Sequence, residues 1–422
     1  MEKIIFHVDV NSAFLSWEAV YRIKHLGSNV DLREMVSAVG GDVTMRHGII
    51  LAKSIPTKRF KIQTGDSIME AKQKCPELVL VPPNYNLYER SSAAFMNILS
   101  EYTPDVEQYS IDEAFMDMTG TERLWGDPVA VANMIKDRIY DELGFTVNIG
   151  VSTNKLLAKM AGDLKKPNLV HTLFPDEIKK KMWPLPVSDL FFVGRATTKK
   201  LFNMGILTIG DLANADPGML RSHMNKHGEI VWAFANGYDF SSVTSEAPAQ
   251  KGYGNSTTIP FDAIYAEDAY IVLLALSETV SARLRKDNVK AEVISVSIKN
   301  SDFKSMSHQT VLTNATNITK EIYKIACNLF DESWCGNPIR HLGIHTSRLK
   351  DYNSSRQLNM FDNEDYERLE YADIMVDTIR GRYGIDSLKR AIFIKSQIDH
   401  MSGGISREKR MVDYNELKIE NS

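Results

Sequence analysis

The first apolar run, KIIFHV (3–8), is short, nearly unbroken and rich in β-branched residues, which predicts a buried strand ending at Asp9. Residues 87–102, LYERSSAAFMNILSEY, set Phe95, Ile98, Leu99 and Tyr102 at helical spacing. YSIDEAFMDM (109–118) then falls between two expected strands, about 106–111 and 114–118. DPVAVANMIKDRIYDELG (127–144) predicts a helix with Asp127 as N-cap, Pro128 in the first turn and Gly144 just past the end. FTVNIGVS (145–152) predicts another strand, and STNKLLAKMAGDLKK a helix capped by Ser152 or Thr153. The order β-α-β-β-α-β is the split-βαβ, ferredoxin-like pattern.

A long insertion, about 11–83, separates the first strand from the first helix and carries its own helix, SIMEAKQKC, behind the capping pair Ser67 and Glu70. From about 174 the pattern turns to short helices. LFFVGRATTKKLFNMGILTIGDLANA (190–215) has Gly194 before one helix and Gly205 after it, as in a helix-hairpin-helix. A Ser-, Thr- and Gly-rich stretch then leads into residues 250–349, where alternating segments such as AEVISVSIKN and helices over 267–286 and 316–330 predict a small α+β domain. The remainder, 350–422, is polar, with one amphipathic stretch near 364–383. The fold class expected is α+β and multidomain.

Composition narrows the function classes. The 422 residues carry a formal net charge of −4, ordinary for a soluble protein and no announcement of a nucleic-acid binder, although local patches decide that. No apolar run reaches membrane-spanning length, and MEKIIFHVDV is too short and acidic for a signal peptide, so no membrane association is expected. Three cysteines, Cys75, Cys327 and Cys335, with no CxxC pair, argue against a disulfide framework or zinc ribbon and for a reducing cytoplasm.

The acid pair Asp112–Glu113 is the chemical anomaly. Neighbours on a strand point to opposite faces, and a buried unpaired carboxylate is costly. In the split-βαβ sheet the first and third strands are antiparallel neighbours, so Asp9 at the end of one lies beside Asp112 and Glu113 in the turn that starts the other. Taken singly, each is an ordinary strand-end or turn acid. Three carboxylates within one strand spacing, about 4.8 Å, repel each other unless cations neutralise them. Two metals about 3.5–4 Å apart suit in-line phosphoryl transfer, and hard oxygen ligands point to magnesium.

HVDVNSAFLSWE, YSIDEAFMD and VNIGVSTNKLLAKMAGDLKKP resemble the signature segments of the Y-family translesion DNA polymerases, the bacterial polymerase IV and V group. The resemblance spans about 1–349 and implies a palm (1–10 and 84–173), fingers (11–83), a thumb with the helix-hairpin-helix (174–242), a linker (243–249) and a little finger (250–349). It implies damage-bypass synthesis of low fidelity, with two Mg2+ ions held by Asp9, Asp112, Glu113 and the carbonyl of Val10. Phe14, five residues after Asp9, matches the aromatic gate that refuses ribonucleotides, and Lys166 the palm lysine on the β/γ-phosphates. The fingers depart from the family's Tyr and Arg three apart: Ile55 and Lys58 stand there, so Lys58 offers a point charge without a bidentate fork. Gly194, Lys199 and Lys200 are the implied thumb contacts to DNA phosphates. QLNMF (357–361) resembles the peptide by which bacterial polymerases bind the β sliding clamp, with Gln357, Leu358 and Phe361 as its contacts and Met360 in place of Leu. The expected partners are primer-template DNA, dNTP and the clamp, for a cytoplasmic monomer. His223 and His227 lack the Glu of HExxH and are read as ordinary histidines. The alternatives are a palm-fold nucleotidyl cyclase, which needs neither thumb nor third domain, and an inactive clamp-tethered DNA-binding protein, against which the intact triad speaks.

Overall fold

A computed structural model describes residues 3–41, 48–246, 249–357, 365–394 and 396–401. The described residues form two compact units, one within 1–40, 50–66 and 70–247, the other within 248–422 together with those of 41–49 and 67–69.

The first unit is built on a five-stranded sheet in the order Val106–Gln108, Glu113–Asp117, Ile5–Val10, Val147–Ser152, Val170–Thr172. Ile5–Val10 is antiparallel to both its neighbours, as the split-βαβ pattern requires, and Val170–Thr172 adds a parallel edge strand that the pattern does not predict. Every residue of Ile5–Val10 is buried, the polar His7 and Asp9 included. Phe6, Val8 and Val10 join Tyr88, Phe95, Leu99, Ile135 and Ile139 in the main core, beneath helices Tyr85–Ser100 and Pro128–Leu143. His7 and Asp9 alternate to the other face. There helix Lys155–Asp163 packs so closely that a Cβ on Gly150 would lie 1.9 Å from the carbonyl oxygen of Ala158.

Helix Ala13–Leu26, unmarked in the sequence reading of the insertion, follows the first strand after a two-residue turn. Ser12 makes that turn with a left-handed φ of 49°, unusual for a residue with a side chain. The helix buries Leu15, Trp17 and Ala19 in the same core as Phe6 and Val8. The rest of the insertion holds a three-stranded sheet, in the order Ile50–Lys53, Ser37–Gly40, Val79–Val81, with helix Ile68–Lys74. After the five-stranded sheet come short helices, among them Arg195–Asn203, Ile209–Ala213 and Lys226–Ala235, around Leu201, Ile209, Leu212 and Val231. Gly194 caps the first, and Gly205 at φ 76° reverses the chain into the second, giving the expected hairpin.

The second unit is an antiparallel sheet in the order Ser305–Thr316, Val289–Asn300, Ile339–Asp351, Gly252–Ala263, packed against helices Ala266–Lys286 and Thr319–Ser333. The tail does more than its polarity suggests. Helix Tyr366–Tyr383 is fastened by Arg285 to Asp373 at 3.1 Å and Asp377 at 2.6 Å, and by Arg380 to Glu278 at 3.0 Å. Beyond it Phe393 and Ile398 enter the core of this unit. Among the described residues no helix is long and apolar enough to cross a membrane.

Candidate active site

Register places the acids. Asp9 and Glu113 are direct cross-strand partners, so their side chains emerge on the same face. Asp112 precedes the strand, where its carbonyl accepts the Val10 N–H at 3.0 Å. Its carboxylate accepts the Ser110 hydroxyl at 2.7 Å, within a turn closed by the N–H groups of Tyr109 and Ser110 on the Glu113 carbonyl. Asp9, Val10, Phe14, Lys58, Asp112 and Lys166 line one cleft of about 310 Å³. Lys53 and Thr64 line it too, two residues the sequence did not single out. Glu113 stands beside Asp9 across the strands but is not among the cleft's lining residues.

Lysines, unforeseen as partners, neutralise part of the acid cluster. Lys166 contacts the Asp9 carboxylate and lies 2.9 Å from Asp163. Lys159 donates to Glu113 Oε2 at 2.8 Å, and the buried ring of His7 faces the same oxygen at 3.7 Å. Burial pushes Asp9 above the usual carboxylate range despite the pull of Lys166. Burial acts the same way on Glu113, but His7 and Lys159 outweigh it and hold that carboxyl at about 2. For Lys166, burial opposes the charge, but Asp9 and Asp163 prevail and raise its pKa. The loop that carries Lys166 is tied to the end of the first strand: Asn11 Oδ1 accepts the Asn168 N–H at 2.9 Å.

Phe14 sits in the first turn of its helix, stacked on the buried ring of Tyr88 with centroids 4.4 Å apart and planes at 8°. Trp17 and Tyr85 close round it at 5.9 and 6.1 Å, so its ring has little freedom. Ile55 and Lys58 are exposed around the short turn Pro56–Phe60, and Lys58 reaches the cleft.

Gly194, Lys199, Lys200 and Gln357 are not among the residues that line this cleft. Gly194 and Lys199 border a second hollow of about 590 Å³ on the hairpin, and Lys200 is exposed on the same helix. Gln357 is exposed, its backbone exchanging hydrogen bonds of 2.8 and 2.9 Å with the Asn314 side chain. Leu358 and Phe361 fall outside the described residues. His223 bonds within its own helix, to the Met219 carbonyl, and His227 to the Thr197 hydroxyl of helix Arg195–Asn203.

Comparison with known proteins places the chain in a family. The chain matches the impB/mucB/samB family over residues 8–163, its helix-hairpin-helix motif over 175–206 and its C-terminal domain over 250–360. It is 45% identical over 397 residues to a protein named DNA polymerase IV from Clostridium acetobutylicum, covering 94% of this chain and 100% of that one. It is 37% identical over 398 residues to DNA polymerase IV 2 of Bacillus subtilis, covering 92% and 94%. A solved Y-family DNA polymerase chimera, 21% identical, shares the fold with a TM-score of 0.69 over 82% of this chain and 99% of that one. The chain belongs to the impB/mucB/samB family, the Y-family DNA polymerases.

Proposed function

We propose that the cleft bordered by Asp9 and Asp112 is where this translesion-type DNA-directed DNA polymerase joins a dNMP to a primer 3′-end. The convergence of Asp9, Asp112, Phe14, Lys58 and Lys166 on one cavity carries the reading. The enzyme uses primer-template DNA and dNTPs and depends on divalent metal. The donors beside the cleft are carboxylate and carbonyl oxygens, a set that fits a hard divalent cation, and we assign Mg2+, two per site, to Asp9, Asp112, Glu113 and the Val10 carbonyl. When bound, such ions neutralise triphosphate charge and ease deprotonation of the primer hydroxyl.

The chain's own residues supply the rest. Lys166, poised between Asp9 and Asp163, turns its ammonium to the β/γ-phosphates. Lys58 adds a point charge from the fingers. Phe14, immobilised on Tyr88, fills the space a 2′-hydroxyl would need. Gly194, Lys199 and Lys200 meet DNA phosphates. Residues 1–10 and 84–173 act as palm, 11–83 as fingers, 174–242 as thumb, 243–249 as linker and 250–349 as little finger. Gln357, Leu358 and Phe361 engage the sliding clamp, raising the local concentration of primer ends for a cytoplasmic monomer.

The test is Asp112→Ala. Template-dependent dNTP incorporation should vanish while the melting temperature is kept or raised, since a clustered acid is removed. Near-normal primer extension by that variant would overturn the site. For the clamp, Leu358→Ala with Phe361→Ala should spare single-nucleotide insertion and remove stimulation by the clamp. Equal stimulation of both forms would refute that contact.

A further inference from the structure

Glu113 presents a problem of geometry. A carboxylate free to rotate can bind a cation through one oxygen or both, and the two modes place the metal differently. Here both contacts to the carboxylate fall on Oε2: Lys159 Nζ at 2.8 Å and His7 Nε2 at 3.7 Å. Among the described residues neither uses Oε1.

The lysine making that contact is itself confined. Its side chain is only 12% exposed. The ammonium lies 5.5 Å from the ring centre of Tyr109 and 5.6 Å from that of Phe191, which favour a cation over their faces. Those rings are braced in turn, Tyr109 edge-on to Phe115 at 5.4 Å and Phe191 stacked on Phe234 at 6.2 Å. Lys159 also springs from the helix that touches Gly150 backbone to backbone, so its origin is as fixed as the sheet.

We propose that Lys159 is a positioning residue that occupies Oε2 of Glu113 and so leaves Oε1 as the single oxygen available to a cation. This rests on reading Glu113 as a metal ligand. The same ammonium repels a divalent ion, so it weakens metal binding until a nucleotide triphosphate adds negative charge. Lys159 thereby exchanges affinity for geometry: the empty enzyme holds metal loosely, and the ion that arrives with nucleotide meets a carboxylate of one fixed denticity.

The experiment measures Mn2+ binding to the full-length protein without nucleotide, by electron paramagnetic resonance, for wild type, Lys159→Met, Lys159→Arg and Glu113→Gln. Lys159→Met should bind Mn2+ about tenfold more tightly, because a like charge is gone and both oxygens are released. Its kcat should nevertheless fall about tenfold, since a displaced reacting geometry costs turnover. Lys159→Arg, keeping charge and donor, should restore both values most of the way. A merely structural lysine would lower stability and weaken both properties together. Folded Lys159→Met with unchanged or weaker Mn2+ binding overturns the proposal. Glu113→Gln separates the two ideas: it must weaken Mn2+ binding if Glu113 is a ligand. Wild-type binding by Glu113→Gln would remove that ligand and this inference with it, whereas weakened binding there beside an unmoved Lys159→Met would sink the inference alone.

Discussion

Replacing Gly150 with alanine should disable the enzyme from a position that touches no reactant. The added methyl would sit 1.9 Å from the Ala158 carbonyl oxygen and 2.5 Å from the Gly162 nitrogen, both backbone atoms that no rotamer can move. Relief requires helix Lys155–Asp163 to lift until 1.9 Å becomes the 3.4 Å of ordinary contact, a shift of roughly 1.5 Å. Overpacking of this kind costs about 1–3 kcal/mol. That corresponds to a melting temperature lower by about 3–10 °C. The functional loss should be larger, because the helix carries Lys159 and leads into the loop of Lys166: displacement of about 1 Å can cost about 100-fold in rate. Gly162→Ala is the control. Its methyl meets nothing nearer than 3.4 Å, and alanine favours a helix interior, so it should be neutral or slightly stabilising. Thermal melts and single-turnover dNTP incorporation on the two variants decide the matter. Wild-type melting and wild-type incorporation by Gly150→Ala would refute the claim that backbone contact sets the helix position.

Other expectations follow from the site and the tail. Phe14→Ala should raise the rNTP/dNTP ratio of kcat/KM while dNTP insertion stays measurable, and an unchanged ratio in an active variant would dismiss the gate. Because Glu113 is held at about 2, below its value in the unfolded chain, it stabilises the metal-free fold above the ordinary carboxylate range, and that contribution is lost as pH falls towards 2. Denaturant melts should therefore show a smaller drop between pH 6 and pH 3 in Glu113→Gln than in wild type. Arg285→Ala leaves Asp373 and Asp377 without their buried partner, a loss of about 3–5 kcal/mol, and limited proteolysis should cut between residues 365 and 401 long before the rest of that unit.

The five-stranded sheet and its helices were legible because each obeys one period, and Asp127 caps Pro128–Leu143 as expected; helix Lys155–Asp163 is capped not by Ser152 or Thr153 but by Asn154, whose side chain accepts the Leu157 N–H. Asp9 could be matched to Asp112 and Glu113 because register follows from strand order. Helix Ala13–Leu26 was not legible, since its buried side includes Ser16, Glu18 and Arg22, the last two paired at 2.7 Å. A buried ion pair erases the apolar stripe by which a helix is recognised. Helix Tyr366–Tyr383 hid its packing role for the same reason: Asp373, Asp377 and Arg380 bind their partners inward while Tyr371 and Tyr383 stay exposed. Lys159 could not be found at all, because nothing local distinguishes a lysine that meets a carboxylate 46 positions earlier from one in solvent.

The central strand carries a last consequence. Between Ile5 and Val10 the chain is enclosed on both edges and both faces, with Phe6, Val8 and Val10 directed one way and His7 and Asp9 the other. Insertion or deletion of one residue there would exchange the two sets, driving an acid into the apolar core and a valine to the face that bears the acids. Length, more than residue identity, is thus what this segment cannot vary. The same insertion in the surface stretch Asp302–Lys304, between two strands of the second unit, would change only the size of a turn.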